Sequence, residues 1–118
     1  MAVISKRLAV PALLSAATAT KYTVPTNTIT KDIELHFTNT DTSNTIGVTV
    51  YLVENGGTAG DSNTFLKEAG ASAFLLGPGE SRAWGTEQIL TAGDMLQAKA
   101  STTSKVAMFA SGKEVSQG

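Results

Sequence analysis

His36 is the only histidine in the sequence. Every scheme that needs an imidazole, whether a Ser-His-acid triad, a histidine metal cluster or a proton shuttle, therefore rests on that one residue. It alternates with Asp32 and Glu34. A triad also needs a nucleophile within hydrogen-bond reach, and a solvated strand face accounts for all three side chains. No catalysis is expected at His36. The loop carboxylates Glu54 with Asp61, and Glu80 with Asp94, are the acid pairs available for glycoside hydrolysis. Each lies in a Gly-rich turn, where acidic residues are ordinary surface residues, and the alternating oxygen ligands of an EF-hand are missing. Gly56-Gly57-Thr58-Ala59-Gly60 is followed by no Gly-Lys-Ser/Thr, so it is a loop before it is a phosphate cradle. Tyr22, Tyr51 and Trp84 are candidates for an aromatic sugar platform, with Tyr51 assigned to an outer face and Trp84 to core packing by default. The expectation is a protein without catalytic residues, metal or cofactor.

What must position these residues is one domain. The 118 residues suffice to bury a single core. Apolar residues make up 42% and charged residues 16%, so surface polarity falls to Thr, Ser, Asn and Gly. A net charge of -1 with no block of like charge argues against a nucleic-acid partner, which needs a concentrated basic patch. The sequence has no cysteine, which removes disulfides, thiolate chemistry and Cys-based metal sites. No apolar run approaches the length of a membrane span.

The dominant period from Ile29 onward is two. Ile29, Lys31, Ile33, Leu35 and Phe37 share one face against Asp32, Glu34 and His36, and Ile46, Val48, Val50 and Leu52 repeat the alternation. The Thr38 to Thr45 run between them consists of side chains that cap turns and reads as a hairpin loop. Glu54 to Asp61 is a long loop. Thr64 to Lys67, Ser72 to Leu76 and Ser81 to Thr86 are short strand candidates, and Met95 to Ala100 reads as the hairpin partner of Val106, Met108 and Ala110. Short strands with turns every eight to twelve residues predict an all-β fold, an antiparallel β-sandwich of jelly-roll or Ig-like type. Ile33, Leu35, Phe37, Val48, Val50, Leu52, Leu96, Ala98, Val106 and Met108 are expected to face inward.

Residues 1–20 imitate a secretory signal, with a basic start, a moderately apolar Leu8 to Ala17 and the A-x-A of Ala17-Thr18-Ala19. Pro11 interrupts that short run, and the segment is read as an extended arm that docks on a neighbouring subunit through Val3, Ile4, Leu8, Val10, Leu13 and Leu14, or else as the first strand of its own sandwich. Residues 21–118 are read as the single β-sandwich domain.

Ser5-Lys6-Arg7-Leu8, Tyr22-Thr23-Val24-Pro25, Phe37-Thr38-Asn39-Thr40, Val50-Tyr51-Leu52-Val53 with Gly57-Thr58-Ala59-Gly60-Asp61-Ser62-Asn63-Thr64, Leu90-Thr91-Ala92-Gly93-Asp94 with Ala98-Lys99-Ala100-Ser101, and Ala110-Ser111-Gly112-Lys113-Glu114-Val115 resemble small virion-associated proteins of tailed bacteriophages. The likeness runs over nearly the whole chain. It implies a compact β-sandwich, made in the bacterial host cytoplasm, that acts in the virion without catalysis. The expected role is a capsid decoration or cement subunit, or a collar or tail-associated one, bound as a homo-oligomer to other virion proteins and to neither nucleic acid nor membrane. The alternative is a receptor- or glycan-binding module of a tail fibre contacting its ligand through Tyr51 and Trp84. No functional residue transfers from the resemblance.

Overall fold

A strand with one apolar face gains stability only when a second apolar face covers it, and this chain meets that need with two packed sheets. The computed structural model describes residues 2–117. Met1 and Gly118, the outermost residues of the expected arm and domain, lie outside the described residues. The strands are β1 (Val3–Leu13), β2 (Ala19–Thr23), β3 (Thr28–Asn39), β4 (Ile46–Val53), β5 (Thr64–Leu66), β6 (Leu75–Leu76), β7 (Ser81–Thr86), β8 (Met95–Ala100) and β9 (Val106–Ser116). A 3-10 turn over Asp61–Asn63 is the only helical element among the described residues.

The first sheet runs β1-β9-β3-β7 and the second β2-β8-β4-β5, with β6 added beside β4. Every strand pairing is antiparallel. The chain alternates between the sheets from β1 to β4 and again from β6 to β9, which is the winding of a jelly roll. The fold is therefore the antiparallel β-sandwich that the period-two pattern predicts. Ile33, Leu35, Phe37, Val48, Val50, Leu96, Ala98, Val106 and Met108 are all buried, and Leu52 is half-buried against the same core.

Local pattern misplaced three features. The Thr38 to Thr45 run is not a hairpin, because β3 and β4 lie in different sheets. The buried Asn39 amide directs that crossing by donating to the carbonyls of Asn44 at 2.8 Å and of Leu76 and Gly77 at 3.1 Å each. Nor are β8 and β9 a hairpin, since each pairs within its own sheet. Finally, Ile29 and Lys31 do not share the face of Ile33. Asp32 adopts φ 51, and the β3–β9 register shifts between Lys31 and Glu34. An Asp tolerates this left-handed conformation better than most residues, and the extra residue of the bulge turns both Thr30 and Ile33 inward.

Replacing the fully buried Val50 with Asp puts an unpaired charge between the sheets, and a loss of more than about 3 kcal/mol is expected in urea unfolding. A second expectation concerns pH. Asp41 accepts from the Ser43 backbone N–H at 2.9 Å, from the Asn44 side-chain amide at 3.1 Å and from the Asn44 backbone N–H at 3.1 Å. These bonds, led by that of Ser43, lower its carboxyl from the ordinary 3.8 to about 2. A depressed carboxyl pKa stabilises the fold above the unfolded value and ceases to do so as pH falls through the folded one. The stability gap between the native chain and Asp41→Ala is expected to be constant above about pH 5 and to narrow progressively as the pH falls below it, through the folded value of about 2.

Candidate assembly surface

The first free edge belongs to β1. Val3 to Arg7 pair in unbroken register with Val115 to Ser111, after which the register shifts between Arg7 and Ala9 and again between Ala9 and Ala12. The first shift lets consecutive Leu8 and Ala9 both turn inward. Gly112 makes room for it, since a Cβ there would stand 2.8 Å from Leu8 Cδ1 and 3.2 Å from the Lys31 carbonyl oxygen. The six apolar residues assigned to the arm are thereby divided. Leu8 and Leu14 pack in the chain's own core, while Val3, Ile4, Val10 and Leu13 remain 50% to 67% exposed.

A polar network fixes this strand to both sheets. Lys6 Nζ lies 3.3 Å from Glu114 Oε1. The Tyr22 hydroxyl donates to Glu114 Oε2 and lies 2.6 Å from Thr30 Oγ1. Tyr22 stands on β2, its partners Thr30 and Glu114 on β3 and β9, and Lys6, which joins through Glu114, on β1, so one cluster ties the edge strand, its sheet and the opposite sheet together. Burial, and then the Glu114 carboxylate, push the tyrosine pKa well above its ordinary value and keep it a donor.

The opposite edge of the same sheet belongs to β7. Trp84 pairs across from the buried Leu35, which sets it on the interior side. Its ring meets Phe65 and Phe74 edge-on, with centroids 6.4 and 5.9 Å apart. The Arg82 guanidinium lies 4.3 Å from the centroid of Phe74 and donates to the Leu75 carbonyl at 3.2 Å. These side chains close the gap between β7 and the second sheet, yet Trp84, Leu75 and Ile89 stay 40% to 60% exposed.

The other candidate residues do not converge. Tyr51 stands on β4, in the other sheet from Trp84, and among the described residues no contact joins the two. His36 pairs with Glu34 at 2.8 Å and stacks on Phe109 with centroids 4.6 Å apart, on the outer face of the first sheet. Asp94 and Glu80 accept turn N–H groups from Thr91 and Gly77 at 2.8 and 2.7 Å. Among the described residues no three His, Asp or Glu side chains gather as a metal site. Phe109 was legible in the alternation, since it sits between inward Met108 and Ala110. Leu75 and Ile89 carried no such signal.

The molecule defined by these features is a jelly-roll sandwich in which Val3, Ile4, Val10 and Leu13 stay exposed on one margin of the first sheet and Trp84 on the other, while Leu75 lies on β6, Ile89 after β7 and Phe109 on the outer face of β9. No protein-family model and no curated protein matches the chain. Its backbone does resemble solved structures. A protein of Bacillus endospore appendages, a novel family of disulfide-linked pili, aligns over 98% of this chain and 89% of its own at 14% identity and a TM-score of 0.54. A chain of the T13 viral particle of infectious bursal disease virus aligns over 98% of this chain at 14% identity and a TM-score of 0.54. A chain from that virus's Gx strain aligns over 96% at 18% identity and a TM-score of 0.50. This protein spans 31% of each viral chain. The likeness is one of fold.

Removing the tyrosine hydroxyl leaves one Glu114 oxygen without its donor and the buried Thr30 hydroxyl without its partner. Tyr22→Phe is expected to lose roughly 1–3 kcal/mol in chemical denaturation, with faster amide exchange along β1 than along β4.

Proposed function

We propose that this protein is a non-catalytic structural subunit of a tailed-phage virion, a capsid decoration or cement subunit or else a collar or tail-associated one, that binds the particle as a homo-oligomer. The observation that carries the reading is the placement of the exposed apolar side chains. Val3, Ile4, Val10 and Leu13 line one free edge of the first sheet and Trp84 the other, where Arg82 also holds the exposed Leu75 of β6. Apolar groups collected on unpaired strand edges are a hazard for a solitary soluble chain and an asset for a subunit covered by neighbours. The residues 1–20 are then the attachment segment, with Val3, Ile4, Val10 and Leu13 as its contacts and Leu8 and Leu14 as its own anchors in residues 21–118.

Pilus and viral-particle proteins with this fold lend support to the reading, as does the bacteriophage resemblance of the sequence. The Bacillus protein belongs to disulfide-linked pili; with no cysteine, this chain has no disulfide to offer, and the proposed attachment rests on non-covalent contacts. Such contacts, each weak, become firm when repeated over a regular surface. The sugar-binding alternative through Tyr51 and Trp84 has no common platform to rest on.

The reading is tested on virions of the phage encoding the chain. A gold-labelled copy is expected in a repeated array on capsid, collar or tail in electron micrographs, at a stoichiometry of many copies per particle. Purified virions lacking the protein altogether would overturn it.

A further inference from the structure

We propose, resting on the reading of a self-assembling subunit, that copies of this chain join head to tail by continuing the first sheet. Val3 to Arg7 of β1 in one copy pairs antiparallel with the free edge of β7 in the next. Both strands are terminal in the β1-β9-β3-β7 sheet. Both offer an unbroken stretch of similar length, Val3 to Arg7 and Ser81 to Thr86, each in regular register with its inner neighbour. Beyond Arg7, β1 is twice bulged and contains Pro11, which has no N–H to donate. The second sheet ends in β2, whose five residues are broken by a register shift between Thr20 and Tyr22, and in β5, of only three residues.

Strand direction fits. Three antiparallel steps lead from β1 to β7, so the two edges run oppositely, and a neighbour in the same orientation presents its β1 antiparallel to β7. Side-chain parity fits as well. Ile4 stands across from Glu114, which points inward to Tyr22, and Trp84 stands across from buried Leu35. Both therefore occupy the interior side, and the pairing covers one with the other. On the outer side, Ser81, Ala83 and Gly85 are small and exposed, so a neighbouring strand can approach.

Charge chooses the partner edge. The paired stretch of β1 carries Lys6 and Arg7 and no acid, whereas exposed Glu80 and Glu87 flank β7. Pairing β1 with a second β1 in full overlap sets Arg7 against Val3 and Lys6 against Ile4, with no acid in the stretch to meet either cation, and pairing β7 with β7 sets Glu80 against Glu87. Head-to-tail pairing brings Arg7 to the Glu80 end. The one like-charged pair it creates, Lys6 near Arg82, involves groups already engaged with Glu114 and with Phe74 and Leu75. A heterologous contact of this kind closes into a ring or extends as a filament.

The absence of native cysteine makes the test direct. Ser5→Cys is combined in one mixture with Ser81→Cys, Ala83→Cys or Gly85→Cys, all on the outer side, and oxidised at a concentration where sedimentation shows the native chain associating. Within one chain the two edges are three strand spacings apart, about 14 Å, so no bond forms internally. A disulfide-linked heterodimer with at least one of the three partners is expected, and a ladder of trimers and longer products from the matching double variant. Ile4→Lys, checked for native circular dichroism, is expected to weaken association at least tenfold. Homodimers of Ser5→Cys alone, or no cross-link with any partner, overturn the head-to-tail pairing. If the native chain nevertheless associates, the subunit reading survives that loss; if it remains monomeric at every concentration, both fall together.

Discussion

Neither sheet of this protein can be built without the other. Six of the eight connections between successive strands carry the chain across the sandwich, and only those from β4 through β5 to β6 stay on one side. The neighbours of a strand within its sheet are consequently distant in sequence: β1 pairs with β9, β2 with β8, and β3 with both β7 and β9. Closing such long loops costs chain entropy before any contact repays it, so the core and the ladders must form together and slowly. The buried centre reflects this, with Leu35 and Phe37 of one sheet facing Val48, Val50 and Leu96 of the other at essentially zero exposure.

That architecture explains which features could be read from the sequence. Side-chain parity is a local property, fixed by the pleat, and it placed Ile33, Leu35, Phe37, Leu96, Ala98, Val106 and Met108 correctly without knowledge of their partners. Pairing is not local. The turn-forming residues of Thr38 to Thr45 suit a hairpin and a crossover equally, and what decides is that the Asn39 side chain finds carbonyls at Leu76 and Gly77, far along the chain. The bulge at Asp32 was hidden for a similar reason. Its left-handed backbone is tolerable for Asp but not demanded by it, and the Lys113 ammonium that lies 3.4 Å away comes from β9.

The candidate surface was legible to the same degree. A segment bearing Val3, Ile4, Leu8, Val10, Leu13 and Leu14 around a proline evidently needs cover, but sequence cannot say how much of it the chain provides. In the folded chain Leu8 and Leu14 are covered, and the Gly112 gap decides the first of these. The Trp84 margin was less visible, because an aromatic on a short strand is expected in the core. Trp84 does point that way; it stays exposed because β7 ends its sheet and Phe65 and Phe74 cover only part of the ring.

An open edge strand is a compromise between two hazards. If it is bound too weakly it frays, and if it is too sticky it aggregates. The β1 strand resolves both with few residues. The Lys6, Glu114 and Tyr22 cluster fastens its regular half to both sheets, so the edge is held in a fixed shape for whatever meets it. Pro11 and the two register shifts spoil its other half as a template, which confines regular pairing to a stretch of five residues. The cations of that stretch find no acid in the same stretch of a second copy, so self-pairing through this edge gains nothing from them. An edge ordered over a short length, charged on one strand and flanked by acids on the other, favours one partner geometry over many. Such selectivity is what a subunit repeated over a particle needs, because contacts that are individually weak can correct a misplaced copy before the array closes around it.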